Sequence, residues 1–410
     1  MCEIHCREAT RGRVIEEVSR MKITKVEARW LQVEIPPENQ HVSDFGRLTT
    51  FDTALVRIET DEGITGWGEA KAAVGSAGDH AAIVATINSE LRQLLEGEDA
   101  LSPVRLWEKM YSGVRAGYAL SRGRTFPEVA RRGVRIAAIS GVDIALWDIA
   151  GKALNVPVYR LLGGKCRESI EAYASGGWAT ADGIGAQLLK TIQSSGYSAV
   201  KMRVGIMDGT VENSIARVSA AREALGPNVK LMVDSHGTFD VREARRFARG
   251  VESANLAWFE EPVNVDDIDG MAEVRASTDI PIAAGESFYT RFDFERAISA
   301  RAIDVLQPDP AISGGITEVV RIANLASAHH LTLAPHLWGG ALLFAAGLQL
   351  AAALPNCIIL EYSKGFNPLL SQLASDPIEV SDGRVAVPDR VGLGVTINKD
   401  FIERHTRRME

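Results

Sequence analysis

Between Lys201 and Glu361 the chain is punctuated by short apolar runs, each closed by a polar side chain. SAVKMR carries Lys201 and Arg203, KLMVDSH ends on Asp234 and His236, LAWFEEP holds Glu260, and IPIAAGES holds Glu286. IDVLQPD then brings Asp309, LTLAPH brings His336, and CIILEY brings Glu361. From Asp234 onward the steps are about 25 residues, enough for one strand, one helix and two short loops. The runs are too short for helices and rich in Val, Ile and Leu, so they predict strands buried on both faces. Repeating strand and helix, with the polar residue always at the carboxyl end of the strand, predicts an α/β fold: a (β/α) TIM-type barrel of seven to eight units.

Upstream the pattern differs. Ile23, Val26, Ala28 and Trp30 alternate with polar residues, which predicts a half-buried strand ended by Ile35-Pro36-Pro37. Strands over 53–59 and 64–69, around the turn Asp61-Glu62-Gly63, extend it into an antiparallel meander. Helical spacing follows over 79–95, 104–111 and 127–153. Strands first and helices after predict an α+β cap over residues 21–154. Inside it the polar stretch 36–48, with His41, Asp44 and Arg47, reads as a mobile lid loop. Leu154-Asn155-Val156-Pro157 ends the last cap helix. The barrel is expected over 155–370, with its first strand at 170–174. Residues 371–410, with a hairpin turn at Asp382-Gly383, are expected to return to the cap. Residues 1–20 read as a polar, disordered extension, whose Cys2, His5 and Cys6 lack the second half of a metal site.

Composition narrows the partners. A net charge of −8 argues against nucleic acid, whose phosphates it repels. The most apolar stretch, 341–354, is broken by Gly347 and Gln349 and reads as a barrel helix, so no membrane partner is expected. The N-terminus lacks the apolar core of a signal peptide, and Cys166 and Cys357 are isolated and expected to be reduced, which fits cytoplasm.

Asp234, Glu260 and Glu286 are spaced 26 residues apart, twice. A barrel puts them at the ends of adjacent strands, where three like charges repel unless protonated or bridged by a cation. All-oxygen ligands suit a hard divalent ion, Mg²⁺ first and Mn²⁺ second. With Asp309 in QPD and His336 in APH, this set resembles the enolase superfamily and its mandelate racemase/muconate lactonizing enzyme-like branch. GWGE at 66–69 and ALWDIAGKALNVPVYRLLGG at 145–164 resemble the cap of that family. The resemblance implies that Asp234, Glu260 and Glu286 hold the metal, that the metal holds a substrate carboxylate, and that a base removes the α-proton. It also implies a homo-oligomer, from dimer to octamer.

His336 is the candidate base, because Asp309 one unit earlier can take its other ring N–H and fix the tautomer. Glu361 is expected as a protonated hydrogen-bond donor to the substrate carboxylate. On the opposite wall, Lys201 and Arg203 alternate with Met202 and so point the same way. Family members that use this wall as a base carry Lys-x-Lys, whereas Arg203 stands in the second place here. A guanidinium is a poor base and a good clamp for carboxylate or hydroxyl, and Lys201 is expected in a charge role. Asp234-x-His236, with AAGESFYTRFDFERAI and LQPDPAISGGITE, resembles galactonate dehydratase-like members, which implies that His236 protonates the leaving hydroxyl.

Together these readings predict an acid sugar dehydratase that converts an aldonate or aldarate into a 2-keto-3-deoxy acid. His336 abstracts the C2 proton, and His236, or His336 itself in a single-base route, protonates the departing 3-hydroxyl. Arg203, Lys201 and His236 contact substrate, and Arg47 and His41 of the lid read its far end. The alternatives are a racemase or epimerase that sets His336 against Lys201, and a non-catalytic sugar-acid binder.

Overall fold

A computed structural model describes residues 20–40, 42–44, 46–72, 80–124 and 132–407. The N-terminal extension, His41 and the start of the expected 127–153 helix lie outside the described residues.

The cap is a three-stranded antiparallel sheet of β1 (Ile23–Glu34), β4 (Thr50–Thr60) and β5 (Thr65–Ala70), in the order β1-β4-β5. The small hairpin of β2 (Val42–Ser43) and β3 (Gly46–Arg47) sits in the connection between its first two strands. Val26, Ala28 and Trp30 of β1 pack with Ile139, Val142 and Leu146 of the helix Arg132–Ala153 into a core of their own. That helix lies so close to β5 that a Cβ on Gly68 would stand 1.9 Å from the Gly141 carbonyl oxygen. The small residues Gly66, Gly68 and Ala70 therefore take the helix side of β5, and Trp67, Glu69 and Lys71 project from the other face.

Eight parallel strands form the second sheet: β6 (Ser169–Ser175), β7 (Ala199–Arg203), β8 (Lys230–Asp234), β9 (Trp258–Glu260), β10 (Ile282–Ala284), β11 (Val305–Leu306), β12 (Thr332–Leu333) and β13 (Leu360–Ser363). They follow the order β12-β11-β10-β9-β8-β7-β6-β13. A parallel bridge from Leu333 to Cys357 joins the two ends, so the sheet curls into a TIM-type barrel. The last strand is followed directly by the short helix Pro368–Gln372. The apolar helix Ala341–Ala353 is buried at all of its residues, as a helix apolar on every face must be. Among the described residues no helix is long and apolar enough to cross a membrane.

Residues 371–410 depart in part from the expected return to the cap. Asp382 and Gly383, both at positive φ, make the turn that starts β14 (Arg384–Ala386), and β14 pairs antiparallel with β6 of the barrel. The segment also reaches the cap: the Leu393 N–H donates to Asp148 Oδ1 of the long cap helix, and further on Thr406 bridges Leu31 and the Arg407 N–H donates to the Trp30 carbonyl.

One buried cluster lies inside the barrel: Tyr173, Ala199, Met232, Trp258, Ala283, Val305, Ala334 and Ile359, one from each strand or its immediate extension. Large Tyr173 and Trp258, edge to face at 5.3 Å, fill the space that the alanines leave. This layer is the floor on which the polar mouth stands.

Candidate active site

Side chains of a strand alternate, so the next inward residue lies two positions past each floor residue. That step gives Ser175, Lys201, Asp234, Glu260, Gln307, His336 and Glu361, and one step higher gives Arg203, His236 and Asp309. The polar mouth is the floor pattern continued past the strand ends. β10 is the exception, with Gly285 at the position and Glu286 after it. Gly285 has φ +135°, and a Cβ there would meet the Phe294 ring at 2.5 Å, so only glycine makes this turn.

His336 Nδ1 stands 2.8 Å from Asp309 Oδ2. Asp309 is fully buried, and its other oxygen accepts from the Ala311 N–H. Burial alone would raise the Asp309 carboxyl, but the Lys71 charge and the His336 hydrogen bond outweigh it and hold it below its ordinary value. His336 Nε2 faces inward, 3.5 Å from Glu286 Oε2 and 3.9 Å from Glu361 Oε2.

Lys71 is a member of this group that sequence reasoning missed. Its Nζ donates to Asp309 Oδ2 at 3.1 Å and to the Trp338 carbonyl at 2.6 Å, so a cap residue grips both the dyad and the His336 loop. A lysine just past a meander strand reads as solvated. The available signal was the spacing Glu69-x-Lys71 on the face of β5 opposite its glycines.

Lys201 Nζ lies 2.6 Å from Glu260 Oε1, 3.3 Å from Glu361 Oε1 and 3.5 Å from Asp234 Oδ2. Burial would lower its pKa, but these carboxylates drive it well above the ordinary value. Arg203 NH1 lies 3.4 Å from Asp234 Oδ1 and makes no hydrogen bond within the described protein. Burial favours protonation of Glu361, the form expected from the sequence, while Lys201, His336 and the Leu337 N–H, which donates to Oε2 at 2.9 Å, pull its pKa below the ordinary value.

Asp234 Oδ1 accepts the His236 N–H, and its carboxyl is held down, against burial, by Arg203, His236 and Lys201. Asp234, His236 and Glu286 offer ligand atoms within 4.8 Å of one another. Glu260 stands apart from that trio, its oxygens taken by Lys201 and by the Trp258 Nε1–H at 3.0 Å. Both Glu286 oxygens are buried without a hydrogen-bond partner, as is Glu261 Oε1. Burial, then Glu261, Asp234 and Glu260, push Glu286 well above its ordinary value. Hard oxygen donors crowded and unpaired in this way fit a divalent cation. Glu261 was not singled out from the sequence, where FEEP offered two adjacent carboxylates.

His236 sits at φ +47°, a left-handed conformation unusual for a side chain of its kind. The turn aims Nε2 inward, 3.6 Å from Glu286 Oε1, and Nδ1 outward to Asp44, with Oδ2 at 2.9 Å. Asp44 of the lid thus reaches the mouth. Arg47 is exposed and pairs across the hairpin with Val42.

A capped (β/α) barrel with carboxylates, a lysine and two Asp-paired histidines gathered at its strand ends has the architecture of an enolase-superfamily enzyme. The chain belongs to the mandelate racemase/muconate lactonizing enzyme-like branch of the enolase superfamily. Residues 25–163 match the family described as "Mandelate racemase / muconate lactonizing enzyme, N-terminal domain", and residues 184–401 match "Enolase C-terminal domain-like". D-galactarolactone cycloisomerase from Agrobacterium fabrum is 34% identical over 93% of this chain and 98% of its own. D-galactonate dehydratase from Xanthomonas oryzae pv. oryzae is 34% identical over 87% and 93%. The crystal structure of the 3,6-anhydro-D-galactonate cycloisomerase from Zobellia galactanivorans superposes with a TM-score of 0.80 at 34% identity, covering 94% of this chain and all of that one.

Proposed function

We propose that the protein is an acid sugar dehydratase, removing water from an aldonate or aldarate to give a 2-keto-3-deoxy acid. The observation that carries this reading is His336, fixed by Asp309 at 2.8 Å, with its free Nε2 turned to the carboxylate cluster. Asp234, Glu260 and Glu286 would hold Mg²⁺, or Mn²⁺ in second place. A bound ion supplies positive charge to a substrate carboxylate, which makes the α-proton acidic enough for an imidazole to take.

The residues of the chain do the rest. Asp309 accepts Nδ1–H, so the Nε2 lone pair of His336 is the one that takes the C2 proton. Lys201, held as an ammonium, offsets charge on the substrate carboxylate, and Arg203 has donors left for a substrate oxygen. His236, on the facing wall, gives its Nε2 proton to the 3-hydroxyl as the C3–O bond breaks, and water leaves. The enol that remains tautomerises to the keto acid in solution.

A fixed Lys201 ammonium disfavours the racemase alternative, which needs that amine as a second base. The second reading is a cycloisomerase, in which the leaving oxygen belongs to a ring. The names of two relatives favour it. A panel of aldonic and aldaric acids and their lactones, incubated with Mg²⁺ and assayed for 2-keto-3-deoxy acid, tests both. Keto acid from an open-chain acid supports dehydration. Keto acid from lactones alone supports the second reading, and none from any member defeats both.

A further inference from the structure

Two histidines face the carboxylate cluster, and each rests Nδ1 on an aspartate. The partner of His336 is a barrel residue. The partner of His236 comes from the cap hairpin, 192 residues away in sequence. Both side chains of the second pair are nearly buried, His236 at 5% and Asp44 at 8% exposure. Asp44 Oδ2 and Oδ1 lie 2.9 and 3.2 Å from Nδ1, so the carboxylate embraces one ring nitrogen. Burial would raise the Asp44 carboxyl, but the hydrogen bond and charge of His236, with Arg203 nearby, hold it below its ordinary value. An ionised Asp44 accepts Nδ1–H in both charge states of the ring. Only Nε2 is then left to carry the mobile proton, and Nε2 is the nitrogen aimed into the mouth.

We infer that Asp44 is a positioning residue for proton delivery: it holds His236 in the orientation and tautomer that hand the Nε2 proton to the leaving oxygen. The inference rests on the dehydratase reading and deepens it. In the step concerned, which follows removal of the C2 proton by His336, the electron pair left by the C2–H bond becomes the C2=C3 bond and the C3–O pair goes to oxygen. The Nε2 proton joins that oxygen to make water. The base side of the reaction, His336 and Asp309, does not involve Asp44. The acid side is complete only when the cap hairpin lies on the barrel mouth.

The leaving group supplies the test. Asp44→Asn keeps the size of the side chain but removes the charge that supports an imidazolium. Fluoride leaves as an anion and takes up no proton, so a 3-deoxy-3-fluoro analogue of the substrate bypasses the acid. For the hydroxyl substrate, kcat of Asp44→Asn is expected to fall by about 10²-fold, while fluoride release changes by no more than about threefold. Exchange of the C2 proton with solvent, followed by NMR on the same sample, reports His336 and the fold and is expected to stay within the same threefold. Equal losses on both leaving groups, or a parallel loss of C2 exchange, would make Asp44 merely structural and overturn the inference, as would an unchanged kcat on the hydroxyl substrate. A wild-type enzyme that dehydrates no acid sugar is a separate failure, of the dehydratase reading itself.

Discussion

The His336 and His236 flanks of the mouth carry the same pair of groups and are built differently. On the His336 flank the cap grips the barrel through several buried contacts. Lys71 holds Asp309 and the Trp338 carbonyl. Glu69 accepts the Gly340 and Leu343 N–H groups and so caps the apolar helix Ala341–Ala353. Asp143 accepts the N–H and hydroxyl of Thr317 in the first turn of the helix that follows the Asp309 loop. The His236 flank is met by the Asp44 carboxylate on a short hairpin. The proposed base, His336, is therefore fixed when the chain folds, whereas the proposed acid, His236, is put together across two elements. Such a division suits an elimination, where a misplaced base stops everything and a misplaced acid stops only departure of the leaving group.

The comparison breaks most completely if the cluster works without its cation. Turnover of the true substrate is expected to vanish in excess chelator and to return with Mg²⁺. Activity that survives would remove the carboxylates from the mechanism. Next in size is His336→Asn, expected to lower both C2 exchange and elimination by about 10²–10⁴-fold. Loss of elimination with C2 exchange intact would move the base to another residue.

The welded character of the His336 flank is sharpened by Glu69→Ala. It leaves two buried N–H groups unpaired and is expected to cost about 2–4 kcal/mol in urea unfolding. A cost under about 0.5 kcal/mol would mean that the flank is not held there. The smallest effect is expected from Lys71→Met, which removes the hydrogen bond and positive charge that Lys71 brings to Asp309. A fall of about tenfold in kcat with KM little changed is expected, since Lys71 touches the dyad and lies behind it. A change in KM alone would put Lys71 in contact with substrate.

The sequence made the barrel legible because its strands repeat a short apolar run, and what repeats can be counted. Asp234, Glu260, Glu286, Asp309, His336 and Glu361 were all found by that count. Contacts across the cap were not, since Lys71 and Asp309 are 238 residues apart and no period links them. Asp44 was in view within the polar lid segment, but the larger Arg47 and His41 drew attention as sugar contacts. A short carboxylate is what fits between a hairpin and a buried imidazole. The Lys201 neighbour of Glu361, two strands away around the ring, is likewise hidden until the barrel closes.

The central claim is that a C2 proton is taken by His336 and that a C3–O bond then breaks. Its most direct test is a single incubation of the wild-type enzyme with Mg²⁺ and its acid sugar in D₂O, followed by ¹H NMR. The account predicts a 2-keto-3-deoxy acid carrying solvent deuterium at C3, with no starting acid inverted at C2. Deuterated acid inverted at C2, with no keto product, would contradict it.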